Sequence, residues 1–153
     1  MTKLYVFSDS HGRTERTHSI ILSLEADYLI HCGDFANDLS GHNVYHVKGN
    51  CDPWSKAPLE VLITIENKKV LIVHGHKHQV KTGLLSLAYY AQQKQADIVL
   101  FGHTHTPTAV EENGILLLNP GSISLPNYGQ SASYLELNID GDEINYRFHT
   151  LED

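Results

Sequence analysis

The stretch Leu4-Tyr5-Val6-Phe7-Ser8-Asp9-Ser10-His11 joins an uninterrupted apolar run directly to a polar cluster. An apolar run without alternating polar residues is typical of a strand that is buried on both faces. The polar cluster then lies at the C-terminal end of that strand, where open α/β sheets bind ligands. This stretch therefore predicts a buried sheet with a ligand site at its edge.

The same junction recurs five times along the chain. The further apolar runs are residues 28–30, 44–47, 70–73, 98–101 and 115–118. The polar clusters that follow them are His31-Cys32-Gly33-Asp34, Lys48-Gly49-Asn50-Cys51-Asp52, His74-Gly75-His76, Gly102-His103-Thr104-His105 and Asn119-Pro120-Gly121-Ser122. The recurrence predicts several strands whose C-terminal ends all carry polar side chains.

Helices and a terminal hairpin complete the expected α/β fold. Apolar periodicity predicts one helix over residues 14–26 and a second from Thr82, as N-cap, to about Gln95. A further short helix is considered for residues 53–56. Residues 133–140 and 143–150 alternate apolar and polar side chains on either side of Gly141, which predicts a hairpin. Parallel strands first and antiparallel strands last fit two sheets packed face to face, with helices outside.

The composition narrows the class of protein. The chain has 153 residues without a linker-like segment, which predicts a single domain over residues 1–153. A net charge of -7 argues against binding to duplex nucleic acid, and no apolar run approaches the ~20 residues of a membrane span. The N-terminus leads straight into a strand without a signal peptide, so a cytoplasmic location is expected. Cys32 and Cys51 form no metal-binding pair, and a disulfide is not expected.

Seven side chains in the polar clusters are candidate ligands of metal ions: Asp9, His11, Asp34, Asn50, His74, His103 and His105. Each short motif alone is typical of a surface loop, but independent loop histidines should not recur after successive apolar runs. Residues i and i+2 at a strand end are expected to point to the same side, so each pair can converge on one ion. Seven groups exceed the needs of one ion and suit two ions about 3.5–4 Å apart.

The remaining histidines carry no such motif. His31 is interpreted as a strand side chain. The others are interpreted as surface or ordinary polar positions: His18, His42, His46, His78 and His149.

The ordered motifs resemble those of the calcineurin-like metallophosphoesterases, above all the small bacterial and archaeal YfcE-like phosphodiesterases. The motifs are Asp9-Ser10-His11, Gly33-Asp34, Gly49-Asn50-Cys51-Asp52, His74-Gly75-His76 and Gly102-His103-Thr104-His105. The resemblance covers nearly the whole chain and implies a four-layer α/β/β/α sandwich with a dinuclear site at one edge. It assigns the first metal to Asp9, His11, Asp34 and His105. It assigns the second to Asp34, Asn50, His74 and His103, with Asp34 as the bridge.

Two positions depart from the family pattern: Cys51 differs from many larger relatives, and Asn127 differs from many small ones. Cys51 stands where many larger relatives have a histidine that is linked to proton donation, so His76 is the candidate proton donor, and Asp52 could orient a neighbouring imidazole. Cys51 itself is interpreted as a small filler residue. Pro126 is followed by Asn127 where small relatives often carry a basic residue.

The resemblance implies a phosphodiesterase in which a hydroxide activated between two divalent ions attacks a phosphate ester. Mn²⁺ is the expected metal, and Ni²⁺, Fe²⁺ or Zn²⁺ also suit carboxylate and imidazole ligands. The expected partner is a small, nucleotide-like phosphate ester that contacts Asn50 and His76, with no membrane partner. Homo-oligomerisation stays open. A phosphomonoesterase and a non-catalytic Vps29-like interaction module are the alternatives.

Overall fold

A computed structural model describes residues 1–11, 19–20, 24–34, 43–124 and 126–151. Within these residues, ten strands form two five-stranded sheets. The first sheet contains, in spatial order, β10 (Glu143–Leu151), β9 (Ala132–Asp140), β1 (Thr2–Phe7), β2 (Tyr28–His31) and β3 (Val44–His46). The second contains β4 (Glu60–Ile65), β5 (Lys68–Val73), β6 (Ile98–Leu100), β8 (Ile115–Asn119) and β7 (Thr108–Glu112). All six predicted apolar runs and the terminal hairpin form strands.

Both sheets are mixed, and the expected order of parallel strands first and antiparallel strands last is wrong. The strands β4 and β7, which were not predicted, pair antiparallel with β5 and β8 inside the second sheet. Tight turns connect the pairs, with φ of 48° and 71° at Glu66 and Asn67 and of 53° and 79° at Asn113 and Gly114. Asn-Gly between strands is a strong hairpin signal, so β7 could have been predicted from sequence.

Successive residues of the central strands face different cores. Leu4 and Val6 of β1 point between the two sheets, whereas Tyr5 and Phe7 point to the outer side of the first sheet. On β5 the alternation is the same: Val70 and Ile72 lie between the sheets, and Leu71 and Val73 lie on the outer side of the second sheet. Both faces of the central strands are therefore buried, which explains their continuous apolar sequence.

A helix covers the outer face of the second sheet. Helix α1 (Leu85–Gln93) packs Leu87, Ala88 and Ala91 against that face. The predicted start at Thr82 is wrong, because the Thr82 hydroxyl donates instead to the carbonyl of Gln79 (2.9 Å) and closes a turn before the helix. The N-cap is Leu84, whose side chain forms no capping hydrogen bond. Gly83, with φ of 149°, separates the turn from the helix.

The other helix is predicted over residues 14–26, and its described apolar residues pack on the outer face of the first sheet. Ile20, Leu24 and Ala26 pack on Tyr5 and Phe7 there. Ser19 and Ile20 are helical, whereas residues 24–26 are not. The rest of the predicted helix, residues 14–18 and 21–23, lies outside the described residues, and so do His18 and His42. The order of layers is thus the predicted α/β/β/α sandwich. Residues 53–56 form a turn and no helix, and none of the described helices is long and apolar enough to cross a membrane.

Candidate metal centre

The loops that follow β1, β2, β3, β5 and β6 meet at one edge of the sandwich. They bring the seven predicted metal ligands together in two overlapping groups. In the first group, candidate ligand atoms of Asp9, His11, Asp34 and His105 all lie within 4.8 Å of one another; the second group contains Asp34, His74 and His103. Asn50 joins the second group, since its Oδ1 lies 3.1 Å from His74 Nε2. Asp34 thus lies in both groups, as the predicted bridge must, although metal binding itself stays a prediction.

Two glycines allow the loops of the two sheets to touch. A Cβ atom on Gly102 would lie 2.8 Å from Asp9 Oδ2, and one on Gly33 would lie 2.6 Å from His74 Nδ1. Gly33 also has a φ of 105°, which L side chains rarely adopt. Any side chain at these positions would push the carboxylates of the first sheet away from the imidazoles of the second.

Five of the seven side chains converge because of their backbone conformation. Asp9, His11, Asp34, His103 and His105 have φ between 50° and 72°, in the left-handed region. The expectation that strand alternation aligns residues i and i+2 is wrong, because all five lie beyond the ends of their strands. A left-handed residue other than glycine costs about 1–2 kcal/mol, so the surrounding contacts must hold this geometry.

The Asn119–Ser122 cluster and Ser124 provide several of those contacts. Asn119 Nδ2 donates to the carbonyl of Gly102 and to Thr104 Oγ1, both at 3.0 Å, and so fixes the loop that carries His103 and His105. Ser122 Oγ donates to the carbonyl of Asp9 (2.8 Å), and Ser124 Oγ donates to the carbonyl of Ser10 (2.6 Å). The sequence marks this polar cluster after β8, but nothing in it shows that the cluster supports the loops of other strands.

The two carboxylates are buried beside the imidazoles. Asp9 is fully buried and Asp34 is 2% exposed. Burial raises the pKa of Asp34, but the hydrogen bond and charge of His74 and the N–H of Cys51 (2.9 Å) outweigh it, so the pKa lies well below its ordinary value. Burial likewise lowers the pKa of His74, yet Asp34 and Asp9 raise it overall. His74 and Asp34 therefore stabilise each other's charged forms.

The ring nitrogens of His74 and His103 are available to a cation at the centre. His74 Nδ1 donates to the carbonyl of Cys32 (2.8 Å), which leaves Nε2 directed at Asn50, His103 and Asp34. Such a backbone bond fixes the tautomer of a metal-binding histidine. Burial and the positive charges of His74 and Lys81 lower the pKa of His103 to about 4, so this ring is neutral at neutral pH.

The surroundings of Asp9 Oδ1 indicate whether these residues fit metal ions. Among the described residues, no group donates a hydrogen bond to this fully buried oxygen. Instead, the Nε2 atoms of His105, His74 and His11 surround it at 3.4, 3.8 and 3.9 Å. A buried carboxylate oxygen without a donor costs several kcal/mol unless a cation compensates it. Its environment of imidazole nitrogens and carboxylate oxygens is a ligand set that suits Mn²⁺, Fe²⁺ or Zn²⁺.

The two predicted catalytic residues lie at one side of the centre. His76 begins a 3₁₀ turn (His76–His78), and its ring centroid lies 5.4 Å from that of His74. Asp52 is buried and accepts a hydrogen bond from the N–H of Gly49, so it closes the loop that carries Asn50. The structure thus gives Asp52 a role in shaping this loop. Burial lowers the pKa of His76 overall, and the negative charge of Asp52 opposes that lowering only in part. An orienting role of Asp52 stays a prediction.

His31 is buried in β2 and faces Ser10, away from the predicted ligand groups. Its Nδ1 accepts from the N–H of Gly33 (3.1 Å), so its Nε2 donates to Ser10 Oγ (2.9 Å). Burial, first of all, lowers the pKa of His31 to about 3. The neutral ring therefore links the loops of Asp9 and Asp34, as expected of a strand side chain.

Two clefts flank the centre. One, of about 440 Å³, is lined by Lys81, His103, Thr104, His105 and Asn127. The other, of about 310 Å³, includes Lys48, Asn50, Pro53, His76 and Lys77. Sequence reasoning missed the three lysines, because an isolated lysine in a loop has no pattern that distinguishes it from a solvated surface residue.

Comparison with known proteins identifies related chains over nearly the whole length. The calcineurin-like phosphoesterase superfamily domain matches residues 2–142. The probable metallophosphoesterase YsnB of Bacillus subtilis is 38% identical over 151 residues, which cover 94% of this chain and 88% of that protein. The phosphodiesterase YfcE of Escherichia coli is 28% identical over 177 residues, covering 92% and 89%.

A solved structure agrees with the fold and with this relationship. The predicted phosphoesterase from Streptococcus pneumoniae TIGR4 superposes with a TM-score of 0.86 at 31% identity, over 97% of this chain and 89% of that one. The family domain, the relatives and the geometry of the centre agree with one another. The chain therefore belongs to the calcineurin-like phosphoesterase superfamily, whose members depend on two metal ions.

Proposed function

We propose that this protein is a metal-dependent phosphodiesterase that hydrolyses small, nucleotide-like phosphate esters. The observation that carries the proposal is the buried Asp34 carboxylate, which belongs to both ligand groups. Next to it lies Asp9 Oδ1, to which none of the described residues donates a hydrogen bond. A shared carboxylate between two ligand groups is what a pair of divalent ions requires.

The residues of the two groups would hold the ions as the resemblance assigns them. Asp9, His11, Asp34 and His105 would hold one, and Asp34, Asn50, His74 and His103 the other. Bound there, two divalent ions, with Mn²⁺ the proposed metal, would supply Lewis-acid activation of water and of the phosphate ester. Only two carboxylates contribute negative charge, so the loaded site attracts an anionic ester even though the protein is acidic.

The protein's own groups would bind and orient the ester. The Asn50 amide and the His76 ring line the same cleft and would contact the phosphoryl oxygens or the leaving group. Asp52 holds the Gly49 backbone and so positions the Asn50 loop. Cys51 donates its backbone N–H to Asp34, and its thiol contacts Asp34 and the Asn50 amide, so this proposal gives the thiol a packing role and no part in proton transfer.

The two clefts favour a diester over a monoester. A phosphodiester carries two substituents, and separate clefts open beside the candidate ligands, one lined by His103 and His105 and another lined by Asn50 and His76. A monoester would fill one cleft and leave the other to solvent. Among the alternatives, a non-catalytic Vps29-like module would not need seven convergent ligands with two buried carboxylates.

The test compares bis-p-nitrophenyl phosphate with p-nitrophenyl phosphate, with Mn²⁺, with Ni²⁺ and after chelation. We expect metal-dependent turnover of both compounds, with a higher kcat/KM for the diester, and loss of turnover in Asp34→Asn and His103→Ala. Absence of metal-dependent turnover would exclude the enzyme. Activity that survives both substitutions would show that the site is elsewhere, and faster monoester turnover would assign a phosphomonoesterase.

His76 is tested through the pH dependence. Burial, followed by the positive charges of His74 and Lys77, lowers the pKa of His76. A proton donor acts in its protonated form, so its contribution is present at low pH and is lost as the pH rises through this lowered pKa. His76→Gln should reduce kcat below about pH 6.5, the ordinary pKa of imidazole, more than at pH 8. An unchanged pH–rate profile would remove His76 as the donor.

A further inference from the structure

The lysines beside the metal centre have no acidic partners in the described structure. Although the protein has a net charge of -7, Lys48 and Lys77 line one cleft and Lys81 the other. Among the described residues, the lysine ion pairs with carboxylates are Lys68–Asp142 and Lys94–Glu60. The acidic protein has many carboxylates, yet among the described residues none of them pairs with these three lysines. Their positive charges are therefore available to an anionic ligand in the clefts.

The backbone of Lys81 is held in place on both sides. Val80 is 4% exposed and packs against Gly75, where an added Cβ would lie 2.9 Å from Val80 Cγ2. The N–H of Thr82 donates to the carbonyl of Gln79 (3.0 Å), and the Thr82 hydroxyl donates to the same oxygen (2.9 Å). Lys81 therefore extends into the cleft from a fixed turn, and only its side chain has to become ordered when a ligand binds.

The opposite wall of this cleft is also fixed. Asn127 Nδ2 donates to the carbonyl of Thr104 (2.9 Å) and to Thr106 Oγ1 (2.8 Å), which ties residue 127 to the loop that carries His103 and His105. The cleft measures about 440 Å³. This volume is in the range of pockets that take a whole small molecule, and so it exceeds what the reacting phosphoryl group alone would occupy.

We propose that the Lys81 cleft binds an anionic group, such as a second phosphate, on one ester substituent of the substrate, and that Lys81 pairs with it. This inference rests on the proposed phosphodiesterase function, because the cleft opens beside His103 and His105. It narrows the substrate class to diesters that carry a further negative charge beyond the scissile phosphate. Lys81 is a specificity-determining residue in this scheme, since it pairs with a substituent of the ester and not with the scissile phosphate.

Two substrates that differ only in that charge test the proposal: the p-nitrophenyl ester of thymidine 5′-phosphate, and the same ester with a 3′-phosphate. Lys81→Met should raise KM for the 3′-phosphorylated ester by about 10-fold or more, the loss expected for one hydrogen bond to a charged group. KM for the other ester should change by less than about 2-fold, and kcat for both should stay within about 2-fold. Lys81→Arg should restore most of the difference, because it keeps the charge.

Lys69→Met is the matched control. It removes the same charge from the opposite end of β5, far from the His74 end, and should leave both KM values unchanged. Equal KM changes for the two esters in Lys81→Met would overturn the anion subsite. A selective KM increase in Lys48→Met or Lys77→Met alone would also overturn it, by assigning the charge to the other cleft. If the wild-type protein hydrolyses neither of the two esters in the presence of Mn²⁺, the proposed function is overturned, and this inference falls with it.

Discussion

The two sheets contribute different chemistry to the same centre. Loops of the first sheet supply both carboxylates, Asp9 and Asp34, together with His11 and Asn50, whereas the candidate ligands from loops of the second sheet are the imidazoles of His74, His103 and His105. Both carboxylates are buried, but the His105 side chain is 21% exposed and lines a cleft with His103. The difference shows that the carboxylates lie on the closed side of the centre, and that the His103 and His105 imidazoles border one of the clefts.

Hydrogen bonds hold both carboxylates and the buried imidazole of His74 in place. Asp9 Oδ2 accepts from Ser8 Oγ (2.7 Å) and from the N–H of His103 (3.1 Å), and Asp34 accepts from the N–H of Cys51. His74, the buried imidazole, is held by the carbonyl of Cys32. The carboxylates should therefore determine where the cations bind, and loss of one should have a larger effect than loss of an exposed imidazole.

The largest expected effect is that of Asp34→Asn. This change keeps the shape of the side chain but removes the negative charge that the two ligand groups share. Bound Mn²⁺ should fall below one ion per chain, and kcat/KM for bis-p-nitrophenyl phosphate should fall by about 1000-fold, roughly 4 kcal/mol in the transition state. Metal analysis after gel filtration and initial rates measure both. Two retained ions would contradict the shared-ligand assignment.

His105→Ala should have a smaller effect, because it removes a neutral and partly exposed ligand. We expect Mn²⁺ affinity at one of the two sites to fall by about 10–100-fold, with partial recovery of activity on addition of free imidazole. Mn²⁺ titration by calorimetry measures this loss. The control is His149→Ala, since His149 contacts Glu136 and Tyr134 outside the centre. If His105→Ala loses as much bound Mn²⁺ and activity as Asp34→Asn, the carboxylates of the first sheet are no more important for metal binding than the imidazoles of the second.

Metal should also stabilise the fold, because it binds the folded centre, where Asp9 and Asp34 converge, more tightly than it binds the unfolded chain. Mn²⁺ at 100 times its dissociation constant contributes about 2.7 kcal/mol, which corresponds to a rise in Tm of about 5–10 °C for a domain of this size. Differential scanning calorimetry with Mn²⁺ and with a chelator measures the rise. In Asp34→Asn the rise should fall to less than about 2 °C. An equal rise in both proteins would place the bound metal elsewhere.

The smallest expected effect is that of Cys51→Ser. Cys51 contacts Asp34 through its backbone, and burial, followed by the negative charge of Asp34, raises the pKa of its thiol. The thiol is therefore neutral at pH 7, and its replacement should change kcat/KM by less than about 2-fold. A tenfold decrease with intact metal content would give the thiol a part in proton transfer, and the interpretation of Cys51 as a filler would be wrong.

Much of the fold could be predicted from sequence because the central strands carry their signal locally. Six apolar runs identify six strands, of which the edge strand β3 is only half-buried, and the polar residues after them identify the edge that forms the site. The strand β4 escaped prediction, and the start of α1 was placed too early. Both errors come from local hydrogen-bond and turn choices: Glu66 and Asn67 adopt a tight turn, and the Thr82 hydroxyl binds Gln79 instead of the helix N-terminus.

The sequence by itself determined which side chains are present at the strand ends and in what order, because strand burial and residue type are properties of short segments. Only the tertiary structure decided how those side chains meet. The contact of His103 N–H with Asp9 spans 94 positions, and the left-handed backbone at His103 and His105 is held by Asn119 and Asn127 from other segments. The position of Lys81 beside His103 likewise depends on the meeting of the segment after β5 with the loop after β6. Such contacts join remote parts of the chain, so no short pattern in the sequence contains them.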